Sequence, residues 1–118
     1  MSAVTDLAQL RAAMRAFVDE RDWSAFHDPK SVLLALVGEV GELAELLQWL
    51  PAEEVRELAR DGALRTRLGE EMSDVLLYLV LLADVLDIDL GRAAMAKLAA
   101  AHARYPAEEV RGHTSQRR

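Results

Sequence analysis

Two pairs of acids share one spacing in this sequence. Glu39 and Glu42, and then Glu71 and Asp74, are each three residues apart, which on a helix sets both members of a pair on neighbouring ridges of one face. On a wheel of about 100° per residue, Leu33, Leu36, Val37, Val40, Leu43, Ala44, Leu47 and Leu50 form an apolar arc, and Glu39 falls at its edge. Glu42 lies about 60° further round, and Glu45 lies further out again, on the side expected to face water. Glu71 and Asp74 share a stripe with Tyr78, Leu81, Leu82 and Val85. Acids bordering an apolar seam are costly unless they are paired or protonated. A cap or an arginine partner accounts for any one of them, but Arg67 is the only arginine on either stripe and cannot neutralise four. The economical compensator is a hard divalent cation, Mg²⁺ or Mn²⁺, which takes oxygen ligands and, for Mg²⁺, adds waters and phosphate oxygens.

Other chemistries fail on residue type. The chain has no cysteine, so thiolate metal sites, disulfides and a cysteine nucleophile are excluded together. Ferritin-type di-iron bundles need a histidine three residues after a glutamate on two helices, and His27, His102 and His113 each lack that glutamate. The GEVGE segment sits inside a helical pattern without the Lys-Ser/Thr of a phosphate-cradling loop. A formal net charge of −6 disfavours nucleic-acid polymers, although a metal can carry in a small anion. The longest apolar run, Val75 to Ala83, is too short to cross a bilayer, and the N-terminus lacks a basic start followed by an apolar stretch. The expected setting is cytoplasmic, with no membrane partner.

The elements that must position these acids read as helices, and 118 residues fit one domain. A first helix is predicted from a Thr5 cap to about Arg21, with Leu7, Leu10, Met14, Phe17 and Val18 buried. A linker from Asp22 to Asp28 carries Trp23, Phe26 and His27. Asp28-Pro29 starts a second helix that Pro51 stops near Leu50. A short helix spans about Glu53 to Arg60, and a third long helix runs from about Ala63 to Leu86. A fourth, capped by Asp89, runs from Leu90 to about Arg104. Residues 1–106 form the domain, and residues 107–118 are expected to be a mobile tail. The third long helix is apolar nearly all round, which predicts cover from a second subunit.

The segments GEVGELAELLQW (Gly38–Trp49) and EEMSDVLLYL (Glu70–Leu79) resemble the MazG-like, all-α nucleotide pyrophosphohydrolases. ERDWSAFHDPKSVLLAL (Glu20–Leu36) and KLAAAHARYP (Lys97–Pro106) narrow the resemblance to the dCTP pyrophosphatase subgroup. It covers roughly residues 7 to 106. The resemblance implies an all-α, four-helix bundle-like fold assembled as a homotetramer, a dimer of dimers. It implies hydrolysis of a nucleoside triphosphate, dCTP or a related pyrimidine, to the monophosphate and pyrophosphate. Glu39, Glu42, Glu71 and Asp74 would hold Mg²⁺ on the triphosphate, and Glu42 is the carboxylate expected to take the proton of the attacking water. Trp23 and Trp49 match the base pocket, with His27 nearby; Tyr78, Lys97 and Arg104 match positions that meet sugar or phosphates. Two positions depart: Ala101 stands where relatives often carry Asn, and Met14 where close relatives carry His, which leaves the base preference open. The competing reading is a non-catalytic helical oligomerisation or adaptor module.

Overall fold

A computed structural model describes residues 6–113, which form six α-helices and no strand. Helix α1 (Leu7–Glu20) is capped one residue later than the sequence suggests: Asp6 accepts from the Gln9 N–H at 2.8 Å, and Thr5 lies outside the described residues. Helix α2 (Pro29–Glu45) starts as expected, with the Asp28 carboxylate accepting from the Ser31 N–H at 2.9 Å. That bond holds the Asp28 carboxyl below the usual carboxylate range. Regular α2 ends five residues before Leu50. The chain then tightens into three-residue turns, the Leu47 N–H reaching the Ala44 carbonyl at 3.1 Å and Leu50 reaching Leu47 at 3.0 Å.

Helix α3 (Ala52–Leu58) follows Pro51, and α4 (Gly62–Val85) follows a turn at Asp61-Gly62, where Gly62 takes φ +78°. Helix α5 (Leu90–Arg104) has the predicted bounds and the predicted cap, Asp89 accepting from Arg92 N–H at 3.0 Å. Residues 107–113 are described and hold a short helix, α6 (Ala107–Val110); the rest of the expected tail lies outside the described residues.

Two chain reversals share one device. At the end of α1, Trp23 N–H bonds to Val18 C=O and Asp22 N–H to Asp19 C=O, with Asp22 at φ 52°. At the end of α4, Ile88 bonds to Ala83 and Asp87 to Asp84, with Asp87 at φ 55°. Both are Schellman turns in which aspartate replaces the usual glycine.

The dominant contact is α2 against α4, with α1 laid across α4. Val18, Val32 and Leu81 form the buried cluster, supported by Met14, Tyr78, Leu82 and Val85. Val32 was not expected in the core. Only part of the apolar arc predicted for α2 packs inside the protomer: Leu36, Leu43, Leu47 and Leu50 are half-buried, whereas Leu33, Val37 and Val40 are exposed and the covered face is turned toward Glu39. In α1, Phe17 is likewise exposed rather than core, because its ring turns to Trp23. Met72, Leu76 and Leu79 of α4 stay exposed too. Helix α5 carries no buried residue and packs principally on α1, so it stands off the body instead of completing a bundle. The radius of gyration is 17.6 Å, against about 13.5 Å for a compact chain of this length.

A carboxylate cluster beside an aromatic cavity

The α2–α4 contact brings the acids together. Carboxylate oxygens of Glu39, Glu42 and Glu71 lie within 4.8 Å of one another. Asp74 joins them electrostatically, its carboxylate within hydrogen-bonding reach of Glu39. Glu39 and Glu71 are half-buried, whereas Glu42, Asp74 and Glu45 are exposed. The Glu39 carboxyl is pushed up to about 7, first by its hydrogen bond with Glu42, then by burial and by the charges of Glu42 and Asp74. Burial, with the charges of Glu42 and Asp74, also raises Glu71, and Arg67 opposes this only at a distance. No ion pair among the described residues reaches any of the four acids. The Glu71 Oε2 atom is buried without a hydrogen-bond partner.

This donor set fits a hard divalent ion. The oxygens are convergent, all are carboxylate, and one is buried with nothing to bond. Without a cation to compensate the cluster, the crowding falls on Glu39, whose carboxyl is held well above its ordinary value.

A cavity of about 390 Å³ opens between α1 and α4. Trp23, His27, Met14, Phe17, Leu77 and Tyr78 are among its walls. The Schellman turn at Asp22 aims Trp23 back onto α1, where it meets the Phe17 ring edge-on at 5.8 Å and 74°. Arg21 covers the other side of Phe17, its guanidinium carbon 3.7 Å from the ring centre. His27 Nδ1, in the same wall as the Trp23 indole and the Tyr78 hydroxyl, is buried without a hydrogen-bond partner. Tyr78, in the cavity wall, sits one helical turn beyond Asp74, about 6 Å along α4.

Trp23, His27 and Tyr78 therefore meet in one place, and Met14 lines it with them. Trp49 does not join them within the protomer: it lies beyond the end of α2 and is 86% exposed. Lys97 and Arg104 are exposed on α5, and neither forms an ion pair with the acids; Arg104 instead lies 5.6 Å over the Tyr105 ring. Phe17 and Leu77 were missed as cavity residues. Phe17 carries the same spacing as core positions, and only its edge-on contact with Trp23 distinguishes it.

The chain matches the MazG nucleotide pyrophosphohydrolase domain over residues 27–107. It is 47% identical over 111 residues to dCTP pyrophosphatase 1 of Bos taurus, covering 94% of this chain and 66% of that protein. Its identity to dCTP pyrophosphatase 1 of Homo sapiens is 47% over 105 residues, covering 89% and 62%. The chain thus spans just under two thirds of the length of these curated relatives. A crystal structure of a pyrophosphatase from Archaeoglobus fulgidus superposes with a TM-score of 0.74 at 32% identity, covering 90% of this chain and 97% of that one.

Proposed function

We propose, from the premise that this chain belongs to the MazG nucleotide pyrophosphohydrolase family, that it hydrolyses a pyrimidine deoxynucleoside triphosphate, dCTP or a close analogue, to the monophosphate and pyrophosphate. The observation that carries the reading is the uncompensated cluster of Glu39, Glu42, Glu71 and Asp74 one turn from an aromatic cavity. An adaptor has no use for four acids held together at the cost of a displaced carboxyl.

Glu39, Glu42, Glu71 and Asp74 would hold Mg²⁺, with Mn²⁺ as a substitute. When bound, the ion neutralises phosphate charge and lowers the pKa of water. Trp23 offers its face to the base; stacking of this kind is worth ~1–3 kcal/mol. His27 Nδ1 takes or gives one hydrogen bond at the base edge, and Tyr78 meets the sugar or α-phosphate. Water attacks the α-phosphorus, the bond from that phosphorus to the bridging oxygen breaks, and pyrophosphate leaves. Glu42, the exposed acid that acts on both Glu39 and Glu71, receives the proton of the water.

The exposed apolar faces of α2 and α4 need cover, which a homo-oligomer supplies, and the resemblance to the family implies a dimer of dimers. The substrate belongs to a soluble nucleotide pool, which we place in the cytoplasm; no helix among the described residues is long and apolar enough to cross a membrane.

The deciding experiment is pyrophosphate release from a panel of dNTPs, with and without Mg²⁺. dCMP and pyrophosphate are expected as the primary products. Appearance of dCDP and orthophosphate refutes cleavage at the α-phosphorus, and silence across the whole panel with Mg²⁺ present leaves the adaptor reading.

A further inference from the structure

Arg67 is the only arginine on either acid-bearing stripe. At about 100° per residue, Arg67, Glu71, Asp74 and Tyr78 fall within roughly 60° of one another on α4. They follow each other along one face at steps of four, three and four residues, about 16 Å of helix from first to last. Tyr78 stands in the wall of the aromatic cavity, and Glu71 and Asp74 belong to the carboxylate cluster. Arg67 lies one turn beyond the cluster along α4, at the end opposite Tyr78.

Its guanidinium is uncommitted. Arg67 is exposed, and among the described residues its side chain donates no hydrogen bond and joins no ion pair. Arg11 and Arg15 are held by Asp84, Arg60 is paired with Glu57, and Arg21 covers the Phe17 ring. Arg67 has an acid one turn away and still does not close on it. Glu71 buries its Oε2 atom, and an arginine four residues before a glutamate is the weaker order for a helical ion pair. What reaches Glu71 from Arg67 is charge alone, opposing the upward push of burial and of the neighbouring acids. No other cation figures among the principal influences on Glu39 or Glu71.

Helix α4 therefore presents, in order, a hydroxyl in the cavity wall, two acids for a metal and a free cation with five N–H donors. A nucleoside triphosphate has the same order: base and sugar, then the α-phosphate, then the β- and γ-phosphates. Guanidinium meets phosphate oxygens with two parallel N–H donors.

We propose that Arg67 binds the β- and γ-phosphates of the substrate, and so the pyrophosphate that leaves. The proposal rests on the pyrophosphohydrolase reading above and adds the direction in which the triphosphate lies along α4. As the bond from the α-phosphorus to the bridging oxygen breaks, its electron pair stays on that oxygen. The fixed cation stabilises the charge that pyrophosphate gains there. Arg67 moves no proton, because its guanidinium stays charged.

Binding of the two products tests this role. Pyrophosphate and dCMP are each titrated calorimetrically, at saturating Mg²⁺, into wild type, Arg67→Ala and Arg67→Lys. Loss of a charged contact predicts roughly tenfold weaker pyrophosphate binding by Arg67→Ala, with dCMP binding unchanged and KM for dCTP raised by a similar factor. Arg67→Lys should recover part of the loss, keeping the charge without the fork. A merely structural arginine would not separate the two products. An Arg67→Ala protein that binds pyrophosphate as the wild type does, or that loses both products alike, overturns the assignment; if the wild type still turns over dCTP, the enzymatic reading stands without Arg67. A wild type that binds no pyrophosphate also overturns it. A wild type whose pyrophosphate binding depends on Arg67 but which hydrolyses no nucleotide removes the enzymatic reading and keeps the phosphate contact.

Discussion

Charge crowding at single residues is the property from which function here is most directly tested. The Glu39 carboxyl is raised from an ordinary 4.5 to about 7, first by the neighbouring Glu42 carboxyl and then by burial and the charge of Asp74. A carboxyl that binds its proton more tightly folded than unfolded stabilises the fold below the unfolded value and loses that contribution as pH rises through the folded one. Metal-free protein is therefore expected to melt progressively lower between about pH 4.5 and 7. Asp84 acts oppositely: its carboxyl is lowered despite partial burial, by hydrogen bonds from Arg15 and Arg11, and its contribution is lost only as pH falls below the ordinary 3.8. The window near neutrality belongs to the cluster. Melts at several pH values check this, and Glu39→Gln should flatten the slope. Saturating Mg²⁺ should flatten it too, since a coordinated carboxylate has no proton to lose. Asp74→Asn should abolish turnover while the fold survives, and its metal-free melt should equal or exceed that of the wild type because one repelling charge is gone. At a hundredfold excess over its dissociation constant Mg²⁺ should stabilise the wild type by ~2.7 kcal/mol, and the variant by less. Equal Mg²⁺ shifts in both proteins would show that the acids do not bind the metal.

Among the elements, the ends of α1 and α4 do more than connect. Each places an aspartate in the left-handed region so that the next residue turns back onto its own helix. At the α1 end, that residue is Trp23. A β-branched side chain tolerates this backbone poorly, so Asp22→Val should cost about 1–2 kcal/mol in urea unfolding and should raise KM by displacing Trp23. Asp22→Gly should keep both stability and KM, which separates backbone geometry from loss of the aspartate itself. Near the start of the second turn-back, Asp84 ties α1 to α4 through two arginines with its side chain only 11% exposed. Asp84→Asn should lower stability by about 1–3 kcal/mol, the range for hydrogen bonds to a charged, partly buried group. Pyrophosphate release by the folded fraction should persist, because Asp84 lines neither the carboxylate cluster nor the aromatic cavity.

Taken as a whole molecule, one chain does not cover itself. Leu33, Val37 and Val40 on α2, Met72, Leu76 and Leu79 on α4, and most of α5 remain open in the protomer. Light scattering at micromolar concentration should give a tetramer of the 13.1 kDa chain and no stable single-chain species. Because folding and assembly then bury much of the same apolar surface, thermal melts should rise with protein concentration. A concentration-independent melt would place the stability in the protomer alone.

What the sequence determined by itself was local or periodic. Asp28-Pro29 and Asp89 cap helices through contacts three residues away, and the paired acids share a face because helical spacing requires it. The helices, the E-x-x-E and E-x-x-D pairs and the placement of His27 beside Trp23 were legible for that reason. Which face of α2 packs inward was not, because an apolar helix with two apolar sides offers both, and the choice between α4 and a second chain is made by the rest of the fold. Trp49 reads like Trp23 as a base-stacking residue, yet only the Schellman turn at Asp22 carries a tryptophan into the cavity, while Trp49 is left on the surface. The raised Glu39 carboxyl and the orphaned Glu71 oxygen likewise depend on the distance between two residues some thirty positions apart on different helices. Spacing along one helix sets which acids share a face; only the docking of α2 on α4 decides how close the two faces come, and electrostatic coupling depends on that distance.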